Sequence, residues 1–390
     1  MIIFKYSNSF PSFLPEPHLI TTKSLGYPPH LPFNSFSSIF AFYLLNRDET
    51  STMQKESAAK TSSTLFELRN VSKFYDNVKV VDNVSFQIPK GHWVGILGES
   101  GSGKSTILQI AARFLDAEEG TVWLDQRPLP SVASQLIKGH PEIKLVHQEY
   151  HLFPNQTVWE NIAYPIRLEQ DTFIKARTAE LIDLAGLREV QHKKTRFLSG
   201  GEKQRTAIAS ALAELPTLLL LDETFAHLDG LNRSRLTRLF QTLKTREKQT
   251  CIFVTHAPTE AMDWAETLLV LRKGRVVQAG SPIEIYEHPL DAYVAELTGN
   301  VNWLDKQKKR FIRPEKVRVS QKQPISAHLT AVVKHTHFRG IHWEYSCQLE
   351  NKLEWMVYRL RNDLKPGQKI YLRFSEKDVK HFPTPRDPQS

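Results

Sequence analysis

The run Gly98-Glu99-Ser100-Gly101-Ser102-Gly103-Lys104-Ser105-Thr106 constrains this chain more than any other feature. It follows a short apolar stretch at residues 93–97 and leads into an apolar helical pattern at 107–114. Strand, glycine-rich loop and helix in that order form a phosphate cradle. The glycines let the backbone curl so that successive N–H groups converge on one anion, and the helix N-terminus adds partial positive charge. Lys104 supplies a point charge for the β- and γ-phosphates, Ser105 a hydroxyl oxygen suited to Mg²⁺, and Thr106 a contact on the α-phosphate side.

A second run, Leu218-Leu219-Leu220-Leu221-Asp222-Glu223, reads as a buried strand ending in two carboxylates. Ligands of open α/β sheets bind at that strand end. Asp222 is expected to hold Mg²⁺ through water, and Glu223 to act as general base on the attacking water. Strand-like runs at 93–97, 144–147, 218–221 and 250–254 alternate with helical patterns up to about residue 300. A mostly parallel sheet covered by helices is the expected result.

Between the two motifs stands Leu198-Ser199-Gly200-Gly201-Glu202-Lys203-Gln204-Arg205. With the others, in this order, it strongly resembles the signature of ABC transporter ATPases, and the resemblance covers residues 65–300. It implies a P-loop α/β ATPase domain with a helical subdomain, binding ATP and Mg²⁺ and hydrolysing ATP. It also implies that Ser199, Gly200 and Gly201 grip the γ-phosphate bound to the opposite copy in a two-fold dimer. By the same resemblance Tyr75, with Phe74 as its rival, stacks on adenine, and Gln148 links the Mg²⁺ site to a membrane partner. His256 steadies the γ-phosphate, and Asp229 lies in a subunit-contact loop. His147 and His151 are expected to be structural. The chain departs from the family at Thr224-Phe225-Ala226-His227 and at Ala257, which touches the fine tuning of dimer contact and hydrolysis.

Residues 151–163, from His151-Leu152-Phe153-Pro154 to Asn161-Ile162-Ala163, are similar to the segment that receives a membrane-subunit helix in polyamine, ferric-iron, sulfate and sugar importers. Phe311-Ile312-Arg313-Pro314-Glu315 and Leu364-Lys365-Pro366-Gly367-Gln368 resemble the TOBE domain of those importers. Five strand candidates at 310–319, 327–335, 341–349, 353–360 and 369–374 fit such a small OB-like β-barrel, giving a 301–390 domain after the 65–300 ATPase domain. The importer resemblance implies separate permease subunits, a solute-binding protein and a place at the cytoplasmic face of the membrane. The rival function is a soluble ATPase of this type acting on nucleic acid or as a regulatory module.

Charge and composition narrow these readings. The formal charge is +9, yet residues 301–390 hold 19 Lys and Arg against 9 Asp and Glu, so the rest is about neutral. The basic excess is read as a solvated face, and nucleic acid is not an expected partner, because Trp343, Tyr345 and Trp355 alternate like core residues rather than exposed stacking platforms. No apolar stretch approaches the roughly 18 residues of a membrane-spanning helix. Two cysteines, Cys251 and Cys347, are too few for a disulfide framework and fit a reducing compartment. Residues 1–64 form an expected disordered extension and leader: 1–52 lack a periodic apolar face or a secretory pattern, and Met53 is the expected functional start.

Overall fold

The computed structural model describes residues 64–382 apart from 148, 225–229 and 324–328. The expectations for the extension, Met53, Gln148 and Asp229 therefore lie outside the described residues, as do Phe225, Ala226 and His227.

Two long antiparallel strands open the described chain, β1 (Thr64–Tyr75) and β2 (Val78–Pro89). Asp76 and Asn77 between them both take positive φ, the two-residue hairpin geometry that suits strand twist. The chain then enters β3 (Trp93–Leu97), passes through the phosphate-loop run and the helix Lys104–Ala111, and returns as β4 (Glu119–Leu124) and β5 (Arg127–Pro128). Next come β6 (Ile143–Val146), β7 (Leu218–Asp222), β8 (Thr250–Thr255) and β9 (Thr267–Arg272), and β10 (Arg275–Gly280) closes a hairpin on β9. The main sheet has the order β10-β9-β3-β8-β7-β6, parallel except for β10.

The continuous apolar runs of β3, β7 and β8 are explained by burial on both faces. Trp93, Leu219, Leu221, Cys251 and Phe253 pack on one side with the helices Asp171–Leu184, Gly200–Leu212 and Gly230–Thr245. Val94, Ile96, Leu218, Leu220 and Ile252 pack on the other. That second side is covered by the helix Lys104–Ala111 together with the antiparallel sheet β2-β1-β4-β5, which the expectation of helices alone missed. The helix expected over 107–114 stops at Ala111, because Arg113 takes a φ of 61° and turns its guanidinium to Pro130 O and Asp116.

Two antiparallel sheets follow. β11 (Asn302–Trp303), β12 (Arg310–Ile312) and β18 (Lys380–His381) make one. The other has the order β13-β17-β14-β15-β16, built from β13 (Arg318–Ser320), β14 (Leu329–Phe338), β15 (Trp343–Leu349), β16 (Glu354–Arg359) and β17 (Lys369–Arg373). One core fills it, with Tyr345 and Trp355 at 0% and 1% exposure, so these rings are packing residues as expected. The single strand expected over 310–319 is two, split by a turn at Pro314–Lys316 whose proline offers no N–H to a ladder. Arg359 of β16 reaches across the open edge and donates to Val319 O at 3.0 Å.

Arg313 locks this half to the preceding helix. It is 2% exposed and donates to Ala295 O, Gly299 O, Asn300 O, Tyr286 O and the Thr298 hydroxyl at 2.9–3.1 Å. A cation thus neutralises the open carbonyls at the end of the helix Ala292–Thr298. Arg313→Ala leaves those acceptors buried without a donor, and we expect it to cost about 3 kcal/mol. Arg313→Lys should recover only part, since an ammonium lacks the fork. Urea midpoints of the two variants check this, and a wild-type midpoint for Arg313→Ala would contradict it.

Candidate functional site

Parallel pairing brings the C-terminal ends of β3, β7 and β8 to one edge, with Leu97 beside Thr255 and Asp222 beside Val254. Gly98, Glu223 and His256 therefore emerge side by side from three strands far apart in sequence. This is where open parallel sheets hold ligands.

The loop keeps its shape through specific glycines. Gly103 has φ 101°, and a Cβ there would stand 2.6 Å from Val80 O; at Gly98 it would stand 2.5 Å from Leu271 O. Gly101 has open space around it but a φ of 77°. Gly103 caps the helix Lys104–Ala111 without a side-chain bond, which leaves the helix's first N–H groups for an anion. Glu99, Ser100 and Ser102 complete the turn, with Ser102 N–H donating to Glu99 O.

Lys104 is 5% exposed, and its ammonium donates to Gly98 O and Glu99 O at 2.9 Å each. Burial lowers its pKa, and the Glu223 and Asp222 carboxylates oppose that. The Ser105 hydroxyl donates to Asp222 Oδ1 at 3.3 Å. Burial raises the Asp222 pKa, while the Ser105 hydroxyl works against the rise. Next along the chain Glu223 adopts φ 46°, an uncommon conformation for a residue with a side chain, and its N–H is held by Val254 O. Its Oε2 lies 3.3 Å from His256 Nδ1. Thr106, in the first helical turn, is half-buried.

The other expected residues have local settings of their own. Tyr75 ends β1 and is 44% exposed, with the Lys73 ammonium 5.6 Å from its ring centroid, whereas its rival Phe74 is half-buried under Lys79. Ser199 caps the helix Gly200–Leu212 through a reciprocal bond with Glu202. Gly200 faces open space; Gly201 is pressed on Asn232, where a Cβ would stand 2.5 Å from Cγ. His147 packs between the rings of Phe114 and His151, a structural setting.

Two supports were not read from sequence. Gly274, at φ 79°, donates its N–H to Ser102 O and props the phosphate loop from below. The Thr255 hydroxyl donates to the buried Glu260 carboxylate at 2.6 Å and accepts from Ala257 N–H at 2.9 Å, which pins the turn that carries His256. The Lys273-Gly274 pair is visible as a turn; what it touches is not.

Known proteins match this architecture. Residues 81–226 fit the family model described as ABC transporter, and residues 311–382 that of the TOBE domain. A spermidine/putrescine import ATP-binding protein, PotA of Thermotoga maritima, is 34% identical over 330 residues, covering 75% of this chain and 89% of that protein. The chain belongs to the ABC transporter family. PotA of Mannheimia succiniciproducens is 36% identical over 261 residues, 66% of this chain and 69% of that one. The dimeric post-hydrolysis structure of the ATP-binding cassette MJ0796 with ADP and Pi superposes with TM-score 0.51 at 29% identity, covering 56% of this chain and 99% of that cassette. Within the ABC transporter family this chain is an ATP-binding subunit of the importer kind: a nucleotide-binding ATPase that carries a C-terminal TOBE domain.

Proposed function

We propose that two copies of this ABC subunit close head to tail around two Mg-ATP and drive import of a small solute through separate permease subunits. The observation that carries the reading is the convergence of Lys104, Ser105–Asp222 and Glu223–His256 on one sheet edge, while the signature turn keeps its bonds to itself and leaves Gly200 open. An anion cradle with open space before it is suited to a partner's nucleotide. The dimeric MJ0796 cassette supports the same arrangement.

Ser105 and Asp222 fit Mg²⁺, since they place two hard oxygens together at the strand end beside the phosphate loop. Mg²⁺ at such a site takes most of its oxygen ligands from phosphate and water. Gln148 would be a further ligand. Bound there, the ion would neutralise the phosphate oxygens. Lys104 and the loop N–H groups hold the β- and γ-phosphates. Glu223 takes a proton from water as its oxygen attacks the γ-phosphorus, and the bond to the ADP oxygen breaks, with His256 steadying the γ-phosphate. Tyr75 stacks on the adenine, and Asp229 lies at the copy-to-copy contact. The chemistry thus sits within residues 65–300, and the barrel at 301–390 takes no part in bond cleavage.

Permease docking falls to the helical subdomain. Phe153 and Tyr164 lie 4.6 Å apart and are partly exposed, and buried Asn161 holds the turn around Phe153 through four bonds. Among the described residues no helix is long and apolar enough to cross a membrane. The import reading puts the subunit at the cytoplasmic face, with a solute-binding protein outside. Polyamines are the first solute to test, since both PotA relatives carry that name. Radiolabelled spermidine and putrescine uptake should fall to background in cells lacking this chain and return on complementation. Unchanged polyamine uptake beside a lost sulfate, iron or sugar uptake would refute polyamines, and no loss for any solute would refute import.

A further inference from the structure

We propose that Tyr293 is a positioning residue of the nucleotide site, holding the Gly98–Glu99 turn that docks Lys104, and that the C-terminal barrel bears on ATP affinity through it. The inference rests on the nucleotide-site reading above and goes beyond it.

Tyr293 sits in the first turn of the helix Ala292–Thr298 and reaches back to the sheet edge. Its hydroxyl donates to Leu271 O at 3.0 Å. That carbonyl lies against Gly98, close enough that a Cβ on Gly98 would meet it at 2.5 Å. One hydroxyl therefore fixes the β9 carbonyl against which the first residue of the phosphate loop rests. Gly98 and the adjoining Glu99 supply both carbonyls that hold the Lys104 ammonium. The ring is itself held, with the Arg272 guanidinium 4.6 Å from its centroid and Arg272 paired to Asp291 at 3.4 Å.

At the other end of the same two-turn helix stands Arg313 of the barrel, bonded to Ala295 O, Gly299 O and the Thr298 hydroxyl. A seven-residue helix is short and stiff, roughly 10 Å long, so a shift at its last turn is carried to its first. Tyr293 is where that shift meets the loop. Contiguity alone does not establish coupling; a double-mutant cycle does.

Tyr293→Phe keeps the ring and removes the hydroxyl bond to Leu271 O. In the full chain it is expected to weaken binding of the non-hydrolysable analogue AMP-PNP about 5-fold and to raise KM for ATP alike, with kcat within about twofold of wild type. A merely structural loss would lower the folded fraction and so kcat, without moving KM. Arg313→Lys, chosen because it keeps the charge, should weaken AMP-PNP binding about 3-fold with Tyr293 present and leave it unchanged on top of Tyr293→Phe. Wild-type affinity for Tyr293→Phe would overturn the positioning role, and an equal Arg313→Lys effect in both backgrounds would overturn the barrel's route. Lys104→Ala, measured in parallel, separates the two levels. If it binds AMP-PNP normally the nucleotide-site reading fails, and if it does not while Tyr293→Phe does, only this inference falls.

Discussion

Glu223→Gln is expected to lower ATP turnover about 10²- to 10⁴-fold while leaving ATP affinity within a few fold. The size of the loss follows from how the local carboxylates are engaged. Asp222 is taken up by Ser105, and Glu260 is buried against Thr255. Glu223 stands at the strand end beside the phosphate loop, with its Oε2 in contact with His256. Its positive φ turns the residue out of the strand line, and that conformation, costing on the order of 1 kcal/mol, is held by the Glu223 N–H bond to Val254 O. Glutamine keeps the shape and the contact to His256 but cannot accept the water's proton. Phosphate release checks the prediction, and near-normal turnover would remove Glu223 as the base.

Lys104→Ala should act on binding instead, weakening ATP affinity about 100-fold. An ammonium bonded to anionic oxygens contributes about 1.5–3 kcal/mol per bond, and the β- and γ-phosphates offer more than one. In the structure the ammonium is already inside the site, docked on two carbonyls at 2.9 Å and shielded from water. Little has to be ordered when phosphate arrives. Burial works against its charge, and the Glu223 and Asp222 carboxylates favour the charged form. Arginine is not a substitute, because a planar fork does not fit a cradle shaped for one point charge. Equilibrium titration with AMP-PNP reads the effect, and unchanged affinity would contradict the account.

The site was largely legible because its signals are local. Glycine spacing between an apolar strand and a helix describes a loop whatever the rest of the chain does, and four leucines before Asp222 describe a buried strand end. Its supports were hidden because they join residues far apart in sequence. Nothing near Gly274 announces that its N–H meets Ser102, and Gly201, read as a donor to phosphate, is also a glycine because Asn232 lies against it. Glu260 is one acid in the first turn of a helix, and only the fold buries it on Thr255. In the fold the same limit applies to the sheet β2-β1-β4-β5, whose strands alternate like any half-buried strand and do not say which face they will cover. The break at Pro314 was readable, since proline cannot donate to a ladder, whereas the helix end at Ala111 depends on Arg113 finding Asp116 and Pro130.

The central claim is that one nucleotide is shared by two chains, Lys104 and Glu223 from one copy and Ser199 to Gly201 from the other. If Glu223→Gln binds ATP without cleaving it, the uncleaved γ-phosphate should hold the two copies together. Size-exclusion chromatography with light scattering on that variant measures this directly. The account predicts a dimer's mass in Mg-ATP and a monomer's mass in Mg-ADP, and a mass that does not change with the nucleotide would contradict it.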